Sequence, residues 1–172
     1  MKRIHCLAIL SIWLIVAGCS SEEDNCEKTI TIEQRYYVNG QSYPYNTTLE
    51  VPCDFPPPEE IQEIEPPTPD NFTYEILRFD FNPDTGYNTT RLQMEIELKN
   101  GSNEDISGIV IFKVENGGLI ISGPLFSEGA SESCTEIAAN SSCIFTYDME
   151  ESLDYGMTES PEILSIDYYL TE

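Results

Sequence analysis

The segment CEKTITIEQRYYVNGQSYPYNTTLEVPC, residues 26–53, is bounded by two cysteines and carries Asn39-Gly40 at its middle. Asn-Gly is the strongest short hairpin signal, because both loop positions take a positive φ. A turn placed there pairs residues whose numbers add to 79, which sets Cys26 opposite Cys53, Ile30 opposite Leu49 and Tyr36 opposite Tyr43. One face then holds Ile30, Ile32, Tyr36, Val38, Tyr43, Tyr45, Leu49 and Val51; the other holds Thr29, Thr31, Glu33, Asn46, Thr48 and Glu50. A slip of one residue would mix the two sets, so turn, cysteines and alternation agree on one register. Pro44 dissents and predicts a bulge or an edge strand.

An isolated two-stranded hairpin is marginal in water, and a disulfide closing a loop of this size adds roughly 3 kcal/mol. The apolar, tyrosine-rich face therefore needs a cover. Either the rest of the chain supplies it, or Ile30, Ile32, Tyr36, Val38, Tyr43, Tyr45 and Leu49 form a partner-facing surface.

Residues 54–72, DFPPPEEIQEIEPPTPDNF, hold six prolines and six carboxylates. That composition favours polyproline II over a core and predicts an extended linker, with a reach of roughly 50–60 Å at ~3.1 Å per residue. From residue 73 to 172, short alternating runs recur: TYEILRFDF, RLQMEIELK, ISGIVIFKV, GLIIS, a segment around CTEIA, CIFTYDM and EILSIDYYL. About seven strands separated by turn residues predict a β-sandwich, and the whole chain reads as all-β.

Between the first two runs lies FDFNPDTGYNTT (79–90). Asp80, Asn82 and Asp84 mimic a calcium loop, but an EF-hand requires Gly at position 6 and Glu at position 12, where this chain has Thr85 and Arg91. Asp80, Asn82 and Asp84 are retained only as a candidate for a calcium site of another kind. Asp84-Thr85-Gly86 spells the aspartic-protease triplet once, whereas that chemistry needs two aspartates sharing a proton. Pro83, Asp84 and Gly86 suit an ordinary hairpin turn, which is the reading adopted.

The N-terminus begins Met1-Lys2-Arg3, continues as an apolar run from Ile4 to Val16, and closes with Val16-Ala17-Gly18-Cys19. The run is short for a membrane span and reads as an export signal, residues 1–18. Val16 to Cys19 resembles the lipobox of bacterial lipoproteins, which implies cleavage before Cys19 and a lipid on its thiol. Residues 19–25 form an acidic tether that resembles the surface-export signal of Bacteroidota lipoproteins. The resemblance implies an outer-membrane protein facing the cell exterior, held to the membrane through Cys19.

Loss of residues 1–18 would leave six basic residues against 31 acidic, a formal charge of about −25. Phosphate backbones would repel such a chain, so nucleic acid is not an expected partner. Four cysteines would remain: Cys26, Cys53, Cys134 and Cys143. Of three possible connectivities, the hairpin register favours Cys26–Cys53, and the short TEIAANSS loop between the other two favours Cys134–Cys143. No C-x-x-C spacing and no mature histidine point to zinc. His5 leaves with the signal, which removes the common general base and every Ser-His-Asp arrangement. No enzymatic activity and no cofactor are expected. Sequons at Asn46, Asn71, Asn88, Asn100 and Asn140 read as turn and strand composition.

LKNGSNEDISGIVIFKV and IAANSSCIFTY are similar to bacterial immunoglobulin-like, CARDB-type adhesion modules in their pattern of turns and strands. That resemblance implies an immunoglobulin-like sandwich of the binding kind. The leading expectation is an accessory or binding module for another cell-envelope protein, such as an outer-membrane β-barrel complex. The alternative is a surface adhesion module that binds carbohydrate or depends on calcium.

Overall fold

The structure is a computed structural model that describes residues 26–171, apart from 59, 155 and 158. The signal segment, Cys19 and the acidic tether lie outside the described residues.

β1 (Glu27–Val38) and β2 (Gln41–Pro52) form an antiparallel hairpin about Asn39 and Gly40, whose φ values are 51° and 81°. Its register places Tyr36 opposite Tyr43, Ile30 opposite Leu49 and Glu27 opposite Pro52. Cys26 and Cys53 are disulfide-bonded beyond the last pair, with Cα atoms 5.4 Å apart. The pairing runs without a shift through Pro44, because β2 is an edge strand and Pro44 owes no ladder bond on its outer side.

The proline-rich segment is not a free spacer. β3 (Gln62–Glu63) adds to β1 as a short parallel strand, and the Ile64 N–H donates to the Arg35 carbonyl at 2.9 Å. Farther on, the Pro67 carbonyl accepts the Leu170 N–H at 2.9 Å. Composition predicts an extended linker; in the structure three attachments hold the segment against its neighbours.

The remaining strands are β4 (Phe72–Asn82), β5 (Thr89–Asn100), β6 (Ile106–Asn116), β7 (Leu119–Gly123), β8 (Ala130–Glu132), β9 (Glu136–Ile137), β10 (Ser141–Ser152) and β11 (Glu162–Leu170). One sheet runs β4-β5-β10-β8 and the other β11-β6-β7, with β9 on β6. The two face each other as a β-sandwich. β5 alternates without fault: Leu92, Met94, Ile96 and Leu98 are buried, and Arg91, Gln93, Glu95, Glu97 and Lys99 face outward. From the opposite sheet Val110, Phe112, Val114, Ile166 and Tyr168 fill the same core. Phe112 meets Phe126 edge-on at 5.0 Å and Phe145 at 5.1 Å. Cys134 and Cys143 are bonded within this core.

β6 is buried on both faces where its sequence reads Val110-Ile111-Phe112, an unbroken apolar run of the kind two-sided burial requires. Val110 and Phe112 point into the sandwich. Ile111 and Ile109 point out of it, and there the hairpin covers them: Tyr36, Val38, Tyr43, Tyr45 and Ile64 pack with Ile109, Ile111 and Tyr169. The molecule is thus three sheets deep at this end. At the hairpin tip, the Asn39 side-chain amide donates to the Ser122 carbonyl of β7.

Candidate protein-docking edge

A sandwich has edge strands, and each presents unpaired N–H and C=O groups to any extended chain that passes. Four of the edges here are blunted by their sequences. β2 carries Pro44, Pro52 and Glu50. β4 bulges between Ile76 and Arg78 and bears Arg78 and Asp80, which are joined at 2.6 Å. β8 has three residues and loses register between Thr146 and Tyr147. β11 bulges between Ile163 and Ser165, and Pro67 occupies its far end.

β7 differs. Its sequence Leu-Ile-Ile-Ser-Gly has no charge, no proline and no bulge. Leu119 is 67% exposed, Ile120 61% and Ile121 44%. The Gly117-Gly118 turn, with φ values of 59° and 81°, is the two-residue primed type, in which the closing pair exchanges both hydrogen bonds. That pair is Asn116 with Leu119. Leu119, Ile121 and Gly123 therefore bond to β6, and Ile120 and Ser122 direct their backbone groups outward. Asn39 reaches the Ser122 carbonyl from that outer side, which fits the assignment. The hairpin tip takes the Ser122 carbonyl; among the described residues, the Ser122 amide and the amide and carbonyl of Ile120 stay open.

The charges are distributed unevenly. Among the described residues, all five ion pairs lie on the outer face of β4, β5 and β10: Arg78 with Asp80 and Glu95, Arg91 with Asp148, and Lys99 with Glu75 and Glu97. Hydrogen bonds from Arg91 hold the Asp148 carboxyl below its ordinary range, and Lys99 followed by Ser142 does the same for Glu97. That face is a solvated surface with its cations engaged. On the other sheet, Glu115 sits directly between Glu162 and Ile120 in the strand register, and none of the five pairs reaches it.

The residues singled out in the sequence fall in separate places. Tyr36 and Val38 are buried, and Tyr43 and Tyr45 are half-buried, all against the protein's own sandwich, so they do not face a partner. Of the same face, Ile30 and Ile32 are half-buried toward the disulfide end, and Leu49 is exposed. Burial first, then the neighbouring Tyr43 and Tyr169 hydroxyls, push the Tyr36 phenol up to about 12. Its hydroxyl has no hydrogen-bond partner among the described residues.

Asp80 gives its carboxylate to Arg78. Asn82 accepts the Asp84 N–H at 3.2 Å, and Asp84 accepts the Gly86 N–H at 2.8 Å. These are the internal bonds of a turn joining β4 to β5. Asn71, Asn88 and Asn140 all have positive φ values, the conformation that turn asparagines tolerate. Asn100 is buried instead. Its amide nitrogen donates to the carbonyls of Glu104 (2.7 Å), Ile137 (3.2 Å) and Ala138 (3.1 Å), and its oxygen accepts from Ser102.

Glu132, Cys134 and Cys143 converge, but the two sulfurs are bonded to each other and hold no metal-ligand valence. A groove of about 610 Å³ beside β5 is lined by Asn71, Thr73, Glu97, Lys99, Asn140 and Ser142 and by no aromatic ring. Comparison with protein-family models, curated proteins and solved structures returns no match. Function has to be argued from the surface itself.

Proposed function

We propose that this chain is a non-enzymatic lipoprotein of the bacterial outer membrane, anchored through Cys19, that serves as a binding or accessory module for another cell-envelope protein. The observation that carries the reading is the unprotected β7 edge, with Leu119, Ile120 and Ile121 exposed in a molecule whose other long edges are blunted. Soluble sheet proteins guard such edges, and an open apolar one marks a place where another protein belongs. The Val16–Cys19 lipobox and acidic residues 22–24 support the location. Six residues separate Cys19 from Cys26, so the hairpin stands within roughly 20–25 Å of its anchor even when that tether is fully extended. A β-barrel complex in the same membrane is within reach.

An immunoglobulin-like identity for the sandwich belongs to this proposal. Adhesion to carbohydrate has less support: tyrosines 36, 43, 168 and 169 are engaged in packing, and the polar groove beside β5 lacks a ring for a sugar to stack on. The test is a tagged pull-down of the full-length chain from gently solubilised native membranes, with quantitative mass spectrometry. A stoichiometric envelope protein is expected. Recovery of the chain alone, with retention on a glycan array, would move the function to the adhesion reading.

A further inference from the structure

On the reading that this chain binds an envelope protein, we infer that the partner contributes an extended, cation-bearing strand that adds to the edge of β7 across Ile120. Three observations converge on that chemistry. The backbone groups of Ile120 point away from β6, so one added strand can complete the ladder without disturbing the existing one. The exposed Leu119, Ile120 and Ile121 ask for apolar side chains at alternate positions of the partner.

The third observation is charge. Glu162, Glu115 and Ile120 lie side by side across β11, β6 and β7; Lys113 is two residues back on the same face of β6, yet no ion pair among the described residues joins it or any other cation to either carboxylate. Like charges directly opposite each other on neighbouring strands are unfavourable. A strand added beyond β7 lies roughly 10 Å from β6, two strand spacings. An arginine or lysine on its outer face can lay its aliphatic stem over Ile120 and bring its charge toward Glu115. A second copy of this chain fits poorly, because it would bring another strongly acidic surface against the first. A neutral apolar strand would satisfy the ladder but leave the glutamates opposed.

The test selects a display library of random twelve-residue peptides on the full-length chain and then measures the winners as synthetic peptides. Selected peptides should alternate apolar residues with Lys or Arg. Their affinity should fall about tenfold or more on Ile120→Pro, which removes one of the two outward N–H groups of β7, and likewise when alternate peptide amides are N-methylated. Glu115→Gln should weaken them severalfold and flatten their salt dependence. The N-methylated peptides keep the test decisive should Ile120→Pro fail to fold. Peptides that tolerate N-methylation, that bind Ile120→Pro within twofold, or that show no cationic enrichment overturn the inference. A membrane partner that still comes down with Ile120→Pro would leave the accessory role standing and remove only β7 as its dock.

Discussion

Tyr36→Phe removes one oxygen from the centre of the hairpin–sandwich contact and nothing else. The ring is fully buried, stacked on Tyr43 at 5.5 Å and edge-on to Tyr169 at 6.1 Å, and phenylalanine keeps both contacts. The hydroxyl, however, has no partner among the described residues. Leaving such a group buried and unpaired costs about 1–3 kcal/mol, and the small void left by the oxygen returns part of that as lost packing. The balance is a gain of about 1 kcal/mol, whereas most core substitutions lose as much. For a chain of this size, 1 kcal/mol raises Tm by about 2–4 °C. Urea unfolding followed by tyrosine fluorescence gives the free energy, and calorimetry gives Tm. A loss of 1 kcal/mol or more would refute the reasoning and mean that the hydroxyl is satisfied, most simply by an internal water.

Three further outcomes are expected. Asn100→Ala frees three carbonyls and two Ser102 donors around a buried site and should cost about 2–4 kcal/mol in urea unfolding, with faster amide exchange from residue 101 to 105. Gly108→Ala should cost at least 2 kcal/mol or so, because its Cβ would collide with the Tyr169 carbonyl oxygen and the Tyr168 ring; a neutral result would mean that β6 and β11 can part freely. The folded state also holds the Tyr36 proton more tightly than the unfolded chain does, about 12 against 10, so this contribution to stability is complete below pH 10 and is lost as pH rises through 12. Absorbance of phenolate against pH should show late-titrating tyrosines, and Tyr36→Phe should remove one of them.

Local pattern made much of this legible, and long-range pairing did not. Asn39-Gly40 and the flanking cysteines suffice for the hairpin register, since every pair follows from the turn. Alternation in β5 reads directly from RLQMEIELK, and the Val110-Ile111-Phe112 run carries its two-sided burial openly. Which surface meets the hairpin was not readable, because Tyr36 and Ile111 are joined only by tertiary packing. The β3 attachment escapes notice because Gln62-Glu63 has no apolar period; Ile64 is its single signal. β8 reads Ala-Ser-Glu and gives no strand signal at all. As for the docking edge, GLIIS is visibly a strand, but its lying at an edge depends on sheet order, and its open Ile120 follows only once Gly117-Gly118 and the pairing of Asn116 with Leu119 are known.

The contact between the hairpin and Tyr169 also sets a timetable. The hairpin pairing can be complete as soon as residue 53 has been made, since every bond in it, the disulfide included, is local. Its cover comes from β6 and β11, more than fifty and a hundred residues later in the chain. During synthesis the tyrosine face therefore exists before the surface that shields it. For that interval the molecule is a ribbon with an oily side, which a folding helper could grip and which β11 dismisses when it arrives.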